Sequence, residues 1–197
     1  MSQEKLSTRE EILVAAIDCI EENGLQSLTI RSIAAKAGVN SAAISYYFGA
    51  KEKLIEEALN RTLEEFKKTP EDILRADGLD LRERLKAFFT ALLDGLIRWP
   101  RLIKAHLQSP LLDGNYGTPF CDMFNSFLTD LLRRLEEMPS GQREQNLRPL
   151  IIQSISAVLI PGLMPGLFQY FAGLDFADPE ARRSYVEDLV NRLFSNR

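Results

Sequence analysis

A short stretch near the N-terminus, residues 28–54, constrains the fold more than any other part of the chain: LTIRSIAAKAGVNSAAISYYFGAKEKL. Thr29 is a favourable N-cap for a first helix. The buried side of that helix would consist of Ile30, Ile33, Ala34 and Ala37. Gly38 follows, and glycine adopts the left-handed conformation that ends a helix without a steric penalty. Asn40 then caps a second helix over residues 41–47. Two short helices joined by a glycine-containing turn form a helix-turn-helix unit.

The charge pattern around this unit favours DNA as its partner. The whole chain carries a net charge of −4, which argues against a protein that coats nucleic acid in general. Between residues 25 and 51, however, the charged residues are Arg31, Lys36 and Lys51, so this window carries +3. A local basic face on an acidic protein suits a sequence-specific binder with modest nonspecific affinity. The second helix of such a unit can enter the DNA major groove.

The same stretch resembles the N-terminal helix-turn-helix of the TetR family of transcriptional regulators. The family pattern is a Thr, then Ile-Ala, Ala-Gly-Val, an aromatic pair ending in Phe, and a Lys that opens the next helix. Here these are Thr29, Ile33-Ala34, Ala37-Gly38-Val39, Tyr46-Tyr47-Phe48 and Lys51. The match covers about the first third of the chain, and Ser45 stands where many members carry Tyr. The resemblance implies a DNA-binding dimer with an effector pocket among its middle helices.

Direct contacts to bases are predicted on one face of the second helix. If Asn40 caps it, Ser41, Ala42, Ser45 and Tyr46 lie near the groove, while Ile44 and Phe48 turn inward. The serine hydroxyls are able to bond to base edges, and the alanine methyl is able to touch a thymine methyl. Tyr46 has both a ring and a hydroxyl for such a contact.

Contacts to the DNA backbone are predicted next to that face. The resemblance implies them for Tyr47 and Lys51, and Thr29 presents a helix N-terminus to a phosphate. Arg31 is able to reach either a guanine or a phosphate. The predicted DNA-binding residues are therefore Thr29, Arg31, Asn40, Ser41, Ala42, Ser45, Tyr46, Tyr47 and Lys51.

Helical spacing continues through the chain without strand alternation, which predicts an all-α protein. A three-helix N-terminal domain, residues 1–68, is joined by a long helix to a larger bundle, residues 69–197, that binds effector and dimerises. The predicted helices outside the central unit cover 8–22, 51–68, 80–98, 101–108, 119–138, 147–171 and 179–194. Pro70 breaks or bends the second of these, Pro110 ends the fourth, and Asn146 opens the sixth.

Two apolar stripes near the C-terminus predict a dimer interface. They contain Ile151, Ile155, Val158, Tyr185, Leu189 and Leu193. The alternative is that both stripes simply cover the domain's own core. Pro161 and Pro165 should kink or break the apolar helix near Ile160. This bend is either purely structural or part of a movable wall of a ligand cavity.

The middle helices also hold candidates for an effector pocket. They are Phe89, Trp99, His106, Tyr116, Phe120, Phe124, Phe127 and Gln153. Aromatic residues at helical spacing are more often core, but ligand pockets are mostly apolar with a few polar anchors. Residues 105–132 contain no Lys or Arg, which favours a small apolar or aromatic effector. One histidine makes no metal site, and we predict no metal and no cofactor.

Other function classes fit the sequence less well. It contains no Gly-rich phosphate loop, Gly-x-Ser-x-Gly, HExxH or Cys/His cluster, so an enzyme is not predicted. No signal peptide or apolar run of membrane-spanning length is present, and Cys19 and Cys121 have no metal-like spacing, which together predict a cytoplasmic protein without a membrane partner. A helical interaction module that has lost DNA binding is the third class, and the retained Thr29 and Lys51 argue against it. We therefore predict a homodimeric repressor that binds a pseudo-palindromic DNA operator and is released by a small molecule.

Overall fold

The computed structural model describes residues 6–75, 78–136 and 147–195, and every regular element within these ranges is helical. The α-helices of these ranges are α1 (Thr8–Asn23), α2 (Ile30–Ala37), α3 (Ser41–Phe48), α4 (Lys51–Arg75), α5 (Leu81–Arg98), α6 (Pro100–Leu112), α7 (Pro119–Glu136), α8 (Leu147–Leu163), α9 (Gln169–Ala172) and α10 (Pro179–Ser195). Short 3-10 turns cover Leu25–Ser27 and Pro165–Leu167. The predicted all-α class is confirmed.

The chain divides into two compact units. The first comprises Met1–Phe66 with Trp99–Tyr116, and the second comprises Lys67–Arg98 with Gly117–Arg197. Helix α4 therefore begins in the first unit and ends in the second. Helix α6 belongs to the first unit, together with the helices expected to bind DNA. The functional division at residue 68 stays a prediction.

Helix α1 forms the centre of the first unit. Ser7 caps it, since the hydroxyl oxygen accepts a hydrogen bond from the Glu10 backbone N–H at 3.3 Å. Its apolar residues recur on one face, and Ile12, Ala16 and Ile20 are completely buried. This face packs against α2 and α6. The N-terminal helix thus holds the helix-turn-helix unit in place.

Helix α6 is attached to the end of α1 by polar contacts as well as by its apolar face. The Glu21 carboxylate accepts a hydrogen bond from the Leu102 backbone N–H at 2.9 Å. That N–H lies in the first turn of α6, where backbone donors have no partner within the helix. The Arg101 guanidinium donates to the Glu21 carbonyl oxygen at 3.0 Å. A carboxylate at a helix N-terminus is also favoured by the helix dipole.

Two predicted helix ends were wrong, and both involve prolines. Helix α4 continues through Pro70, and α6 continues through Pro110. A proline removes one backbone donor and crowds the preceding turn. Both prolines lie near the C-terminal ends of their helices, so only a few helical residues follow each of them. The predicted end of α7 at Met138 and the predicted start of α8 at Asn146 lie outside the described residues.

The bend predicted in the apolar helix is present, a few residues later than expected. Helix α8 contains Pro161, ends at Leu163, and is followed by a segment inclined by 90°. The residues predicted as one helix therefore form α8, a 3-10 turn and α9. Within the described ranges, no single helix is long and apolar enough to cross a membrane, and α8 with Pro165–Phe171 meets that criterion only as a bent pair.

Helix α5 forms the centre of the second unit, where it packs against α8 and α10. Its buried residues are Leu85, Phe88, Phe89, Leu93 and Leu96. Gly162 of α8 lies directly against Leu96, so the two helices approach closely. Arg182 of α10 is buried beside α5, pairs with Asp94, and donates to the Phe176 carbonyl oxygen at 2.7 Å. Charge and backbone contacts therefore add to the apolar packing of α10.

Candidate nucleic-acid interface

The first helix of the helix-turn-helix unit has a capped N-terminus. The Thr29 hydroxyl accepts a hydrogen bond from the Ser32 backbone N–H at 3.0 Å, and the Ser32 hydroxyl accepts one from the Thr29 backbone N–H at 3.2 Å. This reciprocal arrangement is a capping box, with Ser32 in the place of the more usual Glu or Gln. Arg31 lies exposed in the first turn of α2. The helix start and the guanidinium are therefore both available to a phosphate.

The turn between the two helices has the conformation that its residues predict. Gly38 adopts φ 68°, in the left-handed region, and its N–H bonds to carbonyl oxygens of α2. Two residues later, the Asn40 side chain accepts a hydrogen bond from the Ala43 backbone N–H at 2.9 Å. Ile33 of α2 and Ile44 of α3 are buried in the same core. These contacts determine which side of α3 faces outward.

The outward side of α3 carries small and aromatic side chains. Ser41, Ala42 and Ser45 are exposed, and Tyr46 is 84% exposed. Tyr47 packs edge-on against Tyr46, with ring centroids 5.1 Å apart. Ile44 and Phe48 point inward, as expected from the sequence. The face has hydroxyl, methyl and ring groups of the kinds that read base edges in the major groove.

Ion pairs reduce the number of cations that this surface offers to DNA. Lys36 pairs with Glu22 of α1, and this hydrogen bond raises the pKa of the lysine. The charge of +3 in residues 25–51 is therefore partly neutralised by Glu22, which lies outside this range. Arg31 is exposed and Lys51 is half-buried at the start of α4. These two residues are the better candidates for phosphate contacts.

Three of the candidate effector residues lie in the first unit and have different environments. Trp99 packs against the apolar core of the helix-turn-helix unit. His106 is buried, while Tyr116 is exposed. The structure therefore does not assemble them into one group.

His106 forms a polar contact inside the first unit. Its Nε2 lies 2.8 Å from the Thr62 hydroxyl oxygen, and that hydroxyl donates to the Leu59 carbonyl oxygen at 2.8 Å. Because a hydroxyl has only one hydrogen, Nε2 of His106 is the donor to Thr62. Burial lowers the pKa of His106 from 6.5 to about 4, so the imidazole is neutral at pH 7.

The other candidate effector residues lie in the second unit, where aromatic rings come together in pairs. Phe127 stacks on Phe88 with centroids 4.7 Å apart, and Phe120 stacks on Phe124 at 6.0 Å. Phe89 is fully buried, whereas Gln153 is exposed. The rings on α7 are half-buried, so they border the bundle core rather than fill its centre.

The candidate dimer residues on α8 have a different orientation from the one expected. Ile151, Ile155 and Val158 are buried within the single chain, because this side of α8 packs on α5. The opposite side exposes Ile152 and Ile160, at 61% and 41%. These two residues were not among the predicted ones, because an apolar helix has no polar face to indicate which side is outward.

The candidate residues on α10 are only partly covered. Leu189 and Leu193 are half-buried. Tyr185 is half-buried too, but its hydroxyl donates to the Ala157 carbonyl oxygen at 2.7 Å, and its ring packs edge-on against Phe176. Tyr185 therefore links α10 to α8 within the chain.

Comparison with known proteins decides the family. The family model described as bacterial regulatory proteins, tetR family, matches residues 12–58. The probable HTH-type transcriptional regulator YttP of Bacillus subtilis (strain 168) is 37% identical over 192 residues, which are 94% of this chain and 91% of that protein. This chain belongs to the TetR family. It is therefore a DNA-binding transcriptional regulator, and its relatives are regulators rather than enzymes.

Other relatives match over a shorter part of the chain. The HTH-type transcriptional regulator BetI of Stenotrophomonas maltophilia (strain R551-3) is 34% identical over 79 residues, 40% of each chain. The HTH-type transcriptional repressor KstR2 of Rhodococcus jostii (strain RHA1) is 35% identical over 86 residues, 44% of this chain and 42% of that protein. These matches span about two fifths of both relatives' length.

Solved structures of TetR-like regulators have the same fold. A TetR-like transcriptional regulator from Rhodococcus sp. RHA1 has a TM-score of 0.69 at 18% identity, with all of both chains covered. The fatty acid degradation regulator FadR of Bacillus halodurans has a TM-score of 0.65 at 19% identity, with 98% of both chains covered. The same fold thus covers the chain well beyond residues 12–58, which the family model matches.

Proposed function

We propose that this TetR-family protein is a homodimeric repressor in the cytoplasm that binds a pseudo-palindromic operator and is released by a small apolar or aromatic molecule. The outward face of α3 carries the proposal. Ser41, Ala42, Ser45 and Tyr46 are exposed together, while Ile44 and Phe48 anchor the helix from behind. A helix held in this way is suited to the major groove. The named repressor KstR2 is 35% identical to this chain over 86 residues.

We infer that a second copy packs on the exposed side of α8 and the partly covered side of α10. Ile152 and Ile160 lie eight residues apart on α8, so they share a face, with the small residue Ser156 between them. Leu189 and Leu193, four residues apart, share a face of α10. A two-fold interface of this kind would place the same residues on both subunits. Ile151, Ile155 and Val158 would then support the interface from inside the chain.

We also propose that the effector binds beside the aromatic rings of α7. Phe120, Phe124 and Phe127 are half-buried, and their rings offer apolar surface in a stretch, residues 105–132, that contains no Lys or Arg. Binding there would favour one arrangement of the dimer over another, which is a coupling between the effector site and the DNA site. The arrangement with the effector bound would no longer match two adjacent major grooves.

Selection of DNA tests the first part of this proposal. Genomic fragments would be incubated with the purified protein, and the bound fragments would be sequenced and footprinted. We expect a pseudo-palindrome whose half-sites are separated by about 34–36 Å or a multiple of that distance. A variant with Tyr46→Ala and Lys51→Ala is the control and should enrich no sequence. Full-affinity footprints on single, asymmetric half-sites would exclude the dimeric operator.

Release by an effector needs a separate test. A set of small apolar and aromatic compounds would be screened for thermal stabilisation of the protein, since a ligand that binds only the folded state raises the melting temperature. Compounds that stabilise should also displace the selected operator. Stabilising compounds that strengthen operator binding would instead make the ligand a co-repressor.

A further inference from the structure

Arg9, in the first turn of α1, contacts two other helices of the DNA-binding unit. Its guanidinium carbon lies 4.9 Å from the centroid of the Phe48 ring. The same guanidinium forms an ion pair with Glu57 of α4. Phe48 is the last residue of α3 and is buried. One side chain therefore joins α1 to α4 and covers the C-terminal end of α3.

These contacts act at the place where α3 most needs support. The helix has eight residues, and helices of that length have little stability of their own in water. Its orientation therefore depends on the side chains that pack behind it. A planar guanidinium lies flat on an aromatic face, and the ion pair with Glu57 restricts its movement. A cation near a helix C-terminus also interacts favourably with the helix dipole.

We propose that Arg9 is a positioning residue for the recognition helix: it holds Phe48 so that Ser41, Ser45 and Tyr46 keep their outward orientation. Arg9 acts through Phe48 and does not contact DNA. The inference rests on α3 being the helix that enters the major groove. It goes beyond the dimer and the effector, since it concerns the accuracy of readout by each single subunit.

Arg61 provides a matched control. It also joins α1 and α4, because its Nη1 lies 3.5 Å from the Glu10 carboxylate. Arg9 and Arg61 are both exposed. Arg9 of α1 pairs with a glutamate of α4, and Arg61 of α4 pairs with a glutamate of α1. Arg9, in addition, contacts the Phe48 ring of α3. Arg61→Ala therefore removes an α1–α4 ion pair and a positive charge without removing the contact to Phe48.

The test measures affinity for the selected operator and for its single-base variants at two salt concentrations, with the melting temperature recorded for every protein. Arg9→Ala should bind the operator about two- to fivefold more weakly and discriminate less between base variants. Its salt slope should stay that of the wild type, since no phosphate contact is lost. Arg61→Ala should remain within about twofold of the wild type, as expected for an exposed ion pair.

Two further variants keep the test decisive if Arg9→Ala does not fold. Arg9→Lys keeps the charge beside Glu57 but has no planar group for the ring, so it should lose part of the base discrimination. Glu57→Gln keeps the ring contact and should lose little operator affinity and little base discrimination. Equal losses for the Arg9 and Arg61 variants, or unchanged discrimination in Arg9→Lys, would overturn the proposal. A salt slope reduced by about one in Arg9→Ala would make Arg9 a phosphate contact instead. Wild-type protein that selects no DNA would refute the proposed operator binding, which is a separate outcome.

Discussion

The imidazole Nε2 of His106 and the hydroxyl oxygen of Thr62 lie 2.8 Å apart in the first unit, where each residue is 6% exposed. The contact joins α6 to α4, and Phe66 packs its ring edge-on against the same imidazole at 5.9 Å. Together with the Glu21 carboxylate on the first turn of α6, it makes α6 part of the unit that binds DNA. The buried, neutral histidine also makes this unit sensitive to acid.

Stability should fall as the pH is lowered from 6.5 towards 4, because of His106. The unfolded histidine has a pKa of 6.5 and takes up a proton in this range, while burial keeps the folded one at about 4. The stabilisation from the neutral, buried His106 is therefore fully present above pH 6.5. It decreases as the pH falls from 6.5 to 4 and is completely lost below pH 4. Between pH 7 and pH 5 it should lower the free energy of unfolding by about 2 kcal/mol. Urea unfolding at both pH values would measure this loss. His106→Gln, which cannot titrate, should lack it, and identical pH dependence in both proteins would contradict the assignment.

Lys51→Ala should weaken binding to all DNA sequences alike. The lysine begins α4 beside α3, and an ammonium group there binds phosphate without reading a base. The slope of log affinity against log salt should fall in magnitude by about one. Fluorescence anisotropy on the selected operator and on a scrambled duplex, at several salt concentrations, would measure both effects. A Lys51→Ala protein with altered base preference would refute the phosphate assignment.

Ser41→Ala and Ser45→Ala should each change the preference at one base pair per half-site. Both hydroxyls are on the exposed face of α3, where a lost hydrogen bond to a base edge costs about 1–3 kcal/mol. The salt slope should not change, in contrast to Lys51→Ala. Affinities for single-base operator variants would locate the affected position. If neither serine variant alters any base preference, another face of α3 reads the DNA.

Ile152→Glu should convert the dimer into monomers. The side chain is exposed in the single chain, so the substitution leaves the folded subunit intact but introduces a charge into the proposed interface. Sedimentation velocity would show the change in mass. Leu111→Glu on α6 is the control, since Leu111 is also exposed but lies outside the proposed interface. Dissociation by Leu111→Glu alone would move the interface to α6.

Gly162→Ala should destabilise the second unit, and Gly95→Ala should not. A Cβ at residue 162 would lie 2.7 Å from the Leu96 Cβ and 2.5 Å from its Cδ1, so α5 and α8 must separate or repack. Overpacking of this kind typically costs about 1–3 kcal/mol. At Gly95, also in a helix, the new Cβ has no atom within 4 Å beyond its chain neighbours and the backbone of its own helix, and alanine is the better helix former. Thermal unfolding of both variants would compare them. Equal stability would mean that the close approach at Gly162 has no energetic role.

The sequence alone determined the features that depend on near neighbours. Thr29 and Asn40 cap the helices predicted from them, Ser7 caps α1, and Gly38 ends α2 in the left-handed conformation. Each of these contacts joins residues three or four positions apart, so residue type and spacing are enough to predict it. The family pattern lies in the same stretch. The DNA-binding function could therefore be predicted before any tertiary contact was known.

Only the tertiary structure decided which side of an apolar helix faces inward and which distant residues meet. Helix α8 is apolar around most of its surface, so Ile155 and Ile152 look alike in sequence, although one is buried and the other exposed. The Glu21–Leu102 and Thr62–His106 contacts join residues 81 and 44 positions apart. Lys36 loses part of its availability to DNA because Glu22 of another helix pairs with it. Such contacts depend on how whole helices pack, and no local pattern records them.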